Sequence, residues 1–531
     1  MAPLAVKIKH AGKVHDVQLN LDQPPAVFKD AIYQVTGVPP DRMKVMIKGG
    51  TLKDDTDWRK VAPKEGQTFM VIGAAGELPK PPERPVVFLE DMDDTDLAKA
   101  LSLPVGLRNL GNTCYMNATL QALRVIPELQ TALQSGAPPG LPSVLSNLYS
   151  QMSQTTDSVV PSNFLTTLRQ TFPQFAEQSR NAKGMSGMFT MYAQQDAEEC
   201  WVQLTNALRE VPGLPGPSNT SISKNFVDQY MTCETRRELK CDEAPEEHST
   251  VSFEKALKIE CNISITTNFM LSGLKEALDQ KIEKTSPSLG RNATYTATSR
   301  LSRLPSYLTV HMVRFAWRSD IAIVIVLFLP QRRVKFPSDF DALDLVTDEL
   351  REKIMPLATK LKQIEGDRSD RQSVRKRAKA KQQAAQATPV PPAAGSSAGT
   401  GEADTMEVDA PNTVELEPES TYRERELKEL EELINPDLRA DVGSSVSGQY
   451  ELIAIVTHKG AAADSGHYMG FVKKGAIRTT ALGDAQDDDD DWYKFDDDKV
   501  SIFPKDKLST LEGGGEDSSA YVLLYKTKPL A

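Results

Sequence analysis

The stretch Gly106-Leu107-Arg108-Asn109-Leu110-Gly111-Asn112-Thr113-Cys114-Tyr115-Met116-Asn117-Ala118-Thr119-Leu120-Gln121 decides how the chain is read. A cysteine stands where a Gly/Asn-rich loop runs into an apolar-periodic segment. Met116, Leu120 and Leu123 recur at i, i+4 and i+7, the spacing that gathers side chains on one helix face. Asn112 and Thr113 are residue types that cap helix N-termini, so a helix is predicted to begin at or beside Cys114. A thiol in that place faces backbone N–H groups without intrahelical partners and the positive end of the helix dipole. Both favour thiolate, the nucleophilic form. A lone cysteine is more often a packed structural residue, so a functional reading needs partners elsewhere in the chain.

Composition bounds where to look. The 531 residues allow roughly two to four domains. A hydrophobic content of 40% and a charged content of 25% are ordinary for a folded protein. The net charge of −11 argues against wholesale nucleic-acid binding and suits a cationic partner or channel. The five cysteines (Cys114, Cys200, Cys233, Cys241, Cys261) are odd in number and form no C-x-x-C pair. That argues against a disulfide framework and a four-cysteine zinc site, and it fits a reducing compartment. No charged segment followed by an apolar run marks a signal peptide. The longest apolar run, Ile321 to Pro330, is too short to span a bilayer. The expectation is a protein of the cytoplasm and nucleus, with no membrane and no cofactor.

Outward from Cys114, the chain divides by texture. Residues 3–73 read strand–strand–helix–strand–strand, a β-grasp order: Val6 and Ile8 alternate with lysines, Val14–Leu21 is a second strand, and Pro24-Pro25 opens a helix that Gly37 closes. Met43–Ile47 and Thr68–Ile72 are the remaining strands. Residues 74–104 are a proline-stiffened acidic linker. Within 105–315, Ala197, Trp201, Leu204 and Leu208 mark an amphipathic helix over Asp196–Glu210. Phe226–Thr267 is β-like, Leu271–Lys281 helical, and Tyr307–Phe315 a buried strand. Ile321–Leu329 is apolar throughout, either a core strand or an exposed aggregation-prone segment. Residues 349–445 read as an insertion. It is helical to 383, basic over Arg375–Lys381, and disordered by composition over 384–421. The basic run suits a solvated helix face, a nuclear localisation signal or a docking helix for an acidic partner. From 448 to 527 the β pattern returns: Tyr450–Val456, a loop His458–Gly466, a strand His467–Lys473, an acidic loop Asp484–Asp491, then Trp492–Phe495 and Ala520–Tyr525.

A thiol nucleophile needs a base within reach and a third group to orient that base. Six histidines make the search short. His10 and His15 lie in the N-terminal domain, His248 in an acidic turn, and His311 mid-strand. His458 begins a loop and is the weaker candidate. His467 follows Ser465-Gly466 and opens an apolar strand, so a rigid element holds its ring. In Trp492-Tyr493-Lys494-Phe495-Asp496-Asp497-Asp498, Asp496 emerges at a strand end to orient it, with Asp497 as the fallback. Asn109, five residues before Cys114, can join the Cys114 backbone N–H in stabilising a developing oxyanion.

Together these segments resemble the signature boxes of the ubiquitin-specific proteases. The matching pieces are 106–121, the helix start Gln194-Gln195-Asp196-Ala197-Glu198-Glu199, Ser465-Gly466-His467-Tyr468 and Trp492–Asp498. Residues 3–73 resemble a ubiquitin-like domain, with Gly37-Val38-Pro39-Pro40-Asp41 and Gly49-Gly50-Thr51-Leu52 but no terminal Gly-Gly. This front domain, with Cys200-Trp201, is similar to the proteasome-associated branch of the family. The resemblance implies an α+β chain, in which a papain-like thumb, palm and fingers follow a β-grasp ubiquitin-like domain. It implies Cys114 as nucleophile, His467 and Asp496 on the palm, and Asn109 in the oxyanion hole. It implies hydrolysis of the isopeptide bond at the C-terminal glycine of ubiquitin, through a narrow channel lined by Gln194, Gln195, Asp196 and Tyr468. The partners implied are ubiquitin conjugates and, through residues 3–73, the regulatory particle of the 26S proteasome. The free chain is expected to be a monomer. Many relatives carry paired C-x-x-C motifs for zinc in the fingers. Cys233, Cys241 and Cys261 stand isolated there, so no zinc is expected. The rival reading is a catalytically slow scaffold that binds ubiquitin and proteasome.

Overall fold

Alternation of apolar and lysine residues in the first ten positions becomes strand β1 (Leu4–His10) in the structure, a computed structural model. The structure describes residues 3–48, 50–54, 56–73, 104–178, 192–216, 224–315, 332–386, 417–462, 465–477, 490–515 and 518–530. The chain separates into two units, Met1–Asp91 and Met92–Ala531. In the first, β1 and β2 (Lys13–Leu19) form a hairpin, followed by α1 (Pro25–Thr36), β3 (Lys44–Ile47), β4 (Gly50–Thr51), α2 (Trp58–Val61) and β5 (Thr68–Ile72). The sheet order is β2-β1-β5-β3-β4, with β1 and β5 parallel. Phe28 and Ile32 of α1 pack against Ile8, Val45 and Phe69, and Gly37 ends the helix in the left-handed region at φ 69°. Two elements differ from the sequence reading. The short β4 and the one-turn α2 fall where polar residues give no periodic signal. Trp58 holds α2 down, its indole N–H donating to the Gln23 carbonyl at 2.8 Å.

The second unit begins with five helices: α3 (Cys114–Arg124), α4 (Pro127–Gly136), α5 (Leu141–Met152), α6 (Ser162–Thr171) and α7 (Ala197–Ala207). A one-turn α8 (Phe226–Tyr230) leads into strands β6 (Cys233–Cys241), β7 (Thr250–Ala256) and β8 (Ile259–Asn262). Helix α9 (Met270–Leu278), β9 (Asp279–Thr285), β10 (Asn292–Arg303), β11 (Tyr307–Val313) and β12 (Asp339–Asp341) follow. The expected helix to Lys281 stops three residues early, because Asp279–Thr285 pairs with β10 instead. Helices α10 (Asp348–Gln386), α11 (Glu419–Leu433) and α12 (Pro436–Ala440) precede β13 (Gln449–Ala462), β14 (Ser465–Lys473), the one-turn α13 (Lys474–Ile477), β15 (Trp492–Asp496), β16 (Lys499–Phe503) and β17 (Ser519–Thr527). Most of the expected linker over 74–104, Ile321–Leu329, most of 384–421 and most of the acidic loop lie outside the described residues. Helix α11, inside the expected insertion, had no apolar pattern to announce it. It is held to α10 mainly by ion pairs, among them Arg368–Glu426 and Arg375–Glu419 at 2.7 and 2.5 Å, with Leu430 its one fully buried apolar side chain.

Two sheets organise this unit. A four-stranded sheet, β7-β6-β10-β9, carries a small core of Cys241, Ala293 and Tyr295. An eight-stranded sheet runs β16-β15-β14-β13-β17-β11-β8, with β12 on β13. Alternating residues split the larger sheet between two cores. Tyr468, Val472, Tyr493 and Phe495 meet the helical layer, while Met469, Phe471 and Trp492 face the side of α9 and the start of α10. The helix α3 lies in the first core with every residue from Cys114 to Leu123 buried. It has no solvent face, so it needs no polar stripe.

The segment entering α3 is clamped along its length. Gln121 donates to the Val105 carbonyl at 2.8 Å, Arg108 N–H to Val159 at 2.9 Å, and Leu107 N–H to the Asp497 carbonyl at 3.0 Å. Gly106 lies against the β15–β16 turn so closely that a Cβ there would sit 2.5 Å from the Asp498 carbonyl oxygen and 2.7 Å from its Cα. Both neighbours are backbone and cannot rotate away. We expect Gly106→Ala to cost about 1–3 kcal/mol, typical of overpacking. A urea melt of the 92–531 unit beside wild type checks this, and an unchanged midpoint would contradict the close approach.

Candidate active site

Cys114 is the first residue of α3, 3% exposed, with its thiol unpaired in any disulfide. The caps expected before it work differently. Thr113 occupies the N-cap position, but its hydroxyl accepts the Leu110 N–H at 2.9 Å and does not cap the helix. Asn112 adopts the left-handed region at φ 54° and donates its amide to the Tyr192 carbonyl at 3.0 Å. The loop before Cys114 therefore spends its polar side chains on itself and on the segment entering α7. No side chain caps the first N–H groups of α3, which leaves them and the dipole for an anion.

His467 and Asp496 stand near the ends of adjacent antiparallel strands, β14 and β15. The His467 Nε2–H donates to Asp496 Oδ1 at 2.6 Å. Nδ1 is then the ring nitrogen left for the Cys114 thiol. The His467 pKa is pushed up to about 9: its hydrogen bond with Cys114 raises it most, desolvation opposes, and Asp496 adds to the rise. Protonated His467 is thus favoured at neutral pH, and its ring links Cys114 to Asp496.

Two other histidines, His458 and His311, are engaged elsewhere. His458 lies within β13, which continues past it to Ala462, so it does not begin a loop. Its Nε2 bonds the Ser465 carbonyl at 2.8 Å, and burial lowers its pKa. His311 is buried and held well below the ordinary imidazole value by desolvation, with Nδ1 3.2 Å from the Lys258 ammonium.

Asn109 is beside the site, with its polar atoms already engaged. Its Oδ1 accepts the Gly111 and Thr113 N–H groups at 2.9 and 3.3 Å, and Nδ2 donates to Asp497 Oδ2 at 2.9 Å. One amide hydrogen remains. Asp497, the fallback orienter, sits in the β15–β16 turn at φ 53°. Asp496 makes the contact with His467, and Asp497 anchors the loop before Cys114.

The four expected binding residues separate. Asp196 is the N-cap of α7, accepting the Glu198 N–H at 2.8 Å and the Tyr521 hydroxyl at 2.7 Å. Burial pushes its pKa up to about 6, although both hydrogen bonds oppose that. Gln195 is buried, and Gln194 carries a buried Nε2 with no hydrogen-bond partner. Tyr468 is 1% exposed, its ring 4.5 Å from His458 and 6.0 Å from Tyr521 between centroids. It therefore stands within the wall, where a channel surface was expected. Tyr521, which fixes the Gln194–Asp196 turn from a strand 325 residues away, had no local signal in the sequence. Cys233 and Cys241 lie at opposite ends of β6. Among the described residues, the metal-capable group of three is His467, Asp496 and Asp497, within 4.8 Å of one another. Two of these already form the His–Asp pair.

Comparison with known proteins decides the family. The ubiquitin carboxyl-terminal hydrolase family matches residues 105–525, and the ubiquitin family matches residues 5–75. The chain belongs to the ubiquitin carboxyl-terminal hydrolase family. Ubiquitin carboxyl-terminal hydrolase 6 of Schizosaccharomyces pombe is 36% identical over 533 residues, covering 100% of both chains. Ubiquitin carboxyl-terminal hydrolase 6 of Arabidopsis thaliana is 34% identical, covering 98% of each. Ubiquitin carboxyl-terminal hydrolase 14 of Caenorhabditis elegans is 27% identical across 98% of this chain and 93% of its own. As a member of this family, the protein is a cysteine-type deubiquitinating enzyme.

The raised His467 pKa fixes the pH behaviour. Its contribution to stability is full below the ordinary imidazole value of 6.5 and is lost as pH rises through about 9. Where the His467 imidazolium donates a proton during turnover of a ubiquitin amide, the rate should fall over the same alkaline range. Asp496→Asn should move that limb to lower pH. A pH–rate profile of both proteins checks it, and an unmoved limb would detach Asp496 from His467.

Proposed function

We propose that Cys114, His467, Asp496 and Asn109 carry out isopeptide hydrolysis on ubiquitin conjugates held at the proteasome, returning ubiquitin to use. The observation that carries this is the placement of His467 between the first residue of α3 and Asp496. The Cys114 thiolate adds to the carbonyl carbon of the ubiquitin C-terminal glycine. The negative charge that develops on its oxygen meets the Cys114 backbone N–H and the remaining Asn109 amide hydrogen. The His467 imidazolium gives its Nδ1 proton to the lysine nitrogen as the C–N bond breaks, leaving a thioester. Neutral His467 then takes a proton from water as the water attacks. The thioester breaks, ubiquitin leaves as the carboxylic acid, and the thiolate–imidazolium pair returns. The unpartnered Gln194 Nε2 suits donation to the peptide backbone of an extended ubiquitin tail.

The N-terminal unit supports the docking half of the reading. On the face of its sheet away from α1, Met46 pairs with Met70 and Lys44 with Ile72. Met46, Met70 and Ile72 are 39, 52 and 53% exposed, with exposed Lys7, Lys9 and Lys44 on the same face. An apolar strip edged by cations fits an acidic-rimmed apolar site on another protein. The resemblance to the proteasome-associated branch supports placing that site on the regulatory particle, and hence cytoplasmic and nuclear residence.

Two expected outcomes test these halves separately. With proteasome present, wild type should cleave a ubiquitin C-terminal fluorogenic substrate and Cys114→Ser should lose at least about 10³-fold of that rate. Equal signal from both would leave only the scaffold reading. Deletion of 1–75, or Met46→Glu with Met70→Glu, should abolish proteasome co-purification while Cys114 still reacts with a ubiquitin electrophile. Unchanged co-purification would refute the docking role.

A further inference from the structure

Asn117 lies one turn into α3 from Cys114 and is 2% exposed. Its Nδ2 is 2.8 Å from Asp497 Oδ1, 3.2 Å from the Leu107 carbonyl and 3.4 Å from the Arg108 carbonyl. All three neighbours accept hydrogen bonds and cannot donate, which fixes which end of the amide faces them. Its Oδ1 is buried without a partner, a cost that a purely packing residue would not carry. Asp497 takes the second amide from Asn109 on its other oxygen at 2.9 Å. Among the described residues no salt bridge neutralises Asp497, so two neutral side-chain amides from the Cys114 loop and helix hold its carboxylate. Its Oδ1 faces Asn117 and its Oδ2 faces Asn109, so rotation of that carboxylate moves the Asn109 amide.

We propose that Asn117 is a positioning residue for the oxyanion site. By fixing Asp497, it sets where the remaining Asn109 N–H points. This rests on Asn109 as an oxyanion donor. The helix thus places its nucleophile with its first residue and the electrophile-stabilising amide with its fourth, through a carboxylate 380 residues away.

The test compares wild type, Asn117→Ala, Asn109→Ala and the double variant. It measures kcat and KM on a ubiquitin C-terminal fluorogenic amide, alkylation of Cys114 by iodoacetamide, and the melting temperature. Alkylation displaces iodide and forms no oxyanion, so it reports the thiolate alone. Asn117→Ala should lower kcat roughly tenfold or more, within the range for a lost oxyanion donor, with KM and the alkylation rate changed less than about threefold. The double variant should be no slower than Asn109→Ala, because both act on one donor. Additive losses, a full kcat with Asn117→Ala, or alkylation falling in parallel with turnover would overturn the proposal while leaving Asn109 in place. A full kcat with Asn109→Ala would remove the oxyanion reading itself. If Asn117→Ala does not fold, Asn117→Ser, which keeps a shorter donor, should show the same kcat-only loss, and wild-type kcat there would count against the proposal.

Discussion

The hydrogen bond from the Leu107 amide to the Asp497 carbonyl joins the two halves of the candidate site. One half is a helix with its leading loop near the start of the second unit. The other is a pair of strands near its end. Neither half contains both Cys114 and His467. The contact is possible because Gly106 has no Cβ to strike the Asp498 backbone, and because Asp497 accepts a positive φ at the turn. Asp and Asn tolerate that region better than most non-glycine residues. Once the loop and turn are in register, Cys114 faces His467 and the two Asp497 oxygens are taken by amides. The approach of Cys114 to His467 rests on this backbone docking.

The electrostatics of the site favour the charged form of His467. The His467 imidazolium is stabilised on one side by Asp496 and on the other by Cys114. The same carboxylate type has another fate at the N-cap of α7. At Asp196, burial raises the pKa toward 6, and the tyrosine hydroxyl and backbone N–H it accepts only partly restore the charged form. Environment separates these aspartates: Asp496 is part-exposed and cation-facing, while Asp196 is enclosed and serves as a cap. A carboxylate near an active site is a reactant, an orienter or a fastener according to what surrounds it.

Much of the fold and site was legible because its signals are local. The i, i+4, i+7 pattern after Cys114, the apolar strands flanking His467, and Asp496 at a strand end all lie within short windows. So did the β-grasp order of residues 3–73, although β4 and α2 escaped for want of any periodicity. The rest depends on distant pairings that leave no mark nearby. Asn112 and Thr113 looked like helix caps because their residue types suit that task, but loop geometry turned them to Tyr192 and Leu110. The family resemblance implied a channel-lining Tyr468, and no local pattern announced that its ring would group with His458 and Tyr521. Helix α11 was hidden because ion pairs carry most of its attachment, and charged residues between helices read like ordinary surface in one dimension.

The strand order of the large sheet also bears on synthesis. β17 is formed last, yet it lies in the middle of the sheet, paired with β13 on one side and β11 on the other. Until those nine residues leave the ribosome, β11 and β13 have no common neighbour, and Tyr521 cannot brace the Gln194–Asp196 turn. A chain that still lacks β17 holds an open sheet with two unpaired inner edges. Such edges invite pairing with other chains. Closure of the sheet and the bracing of Asp196 therefore depend on the same strand.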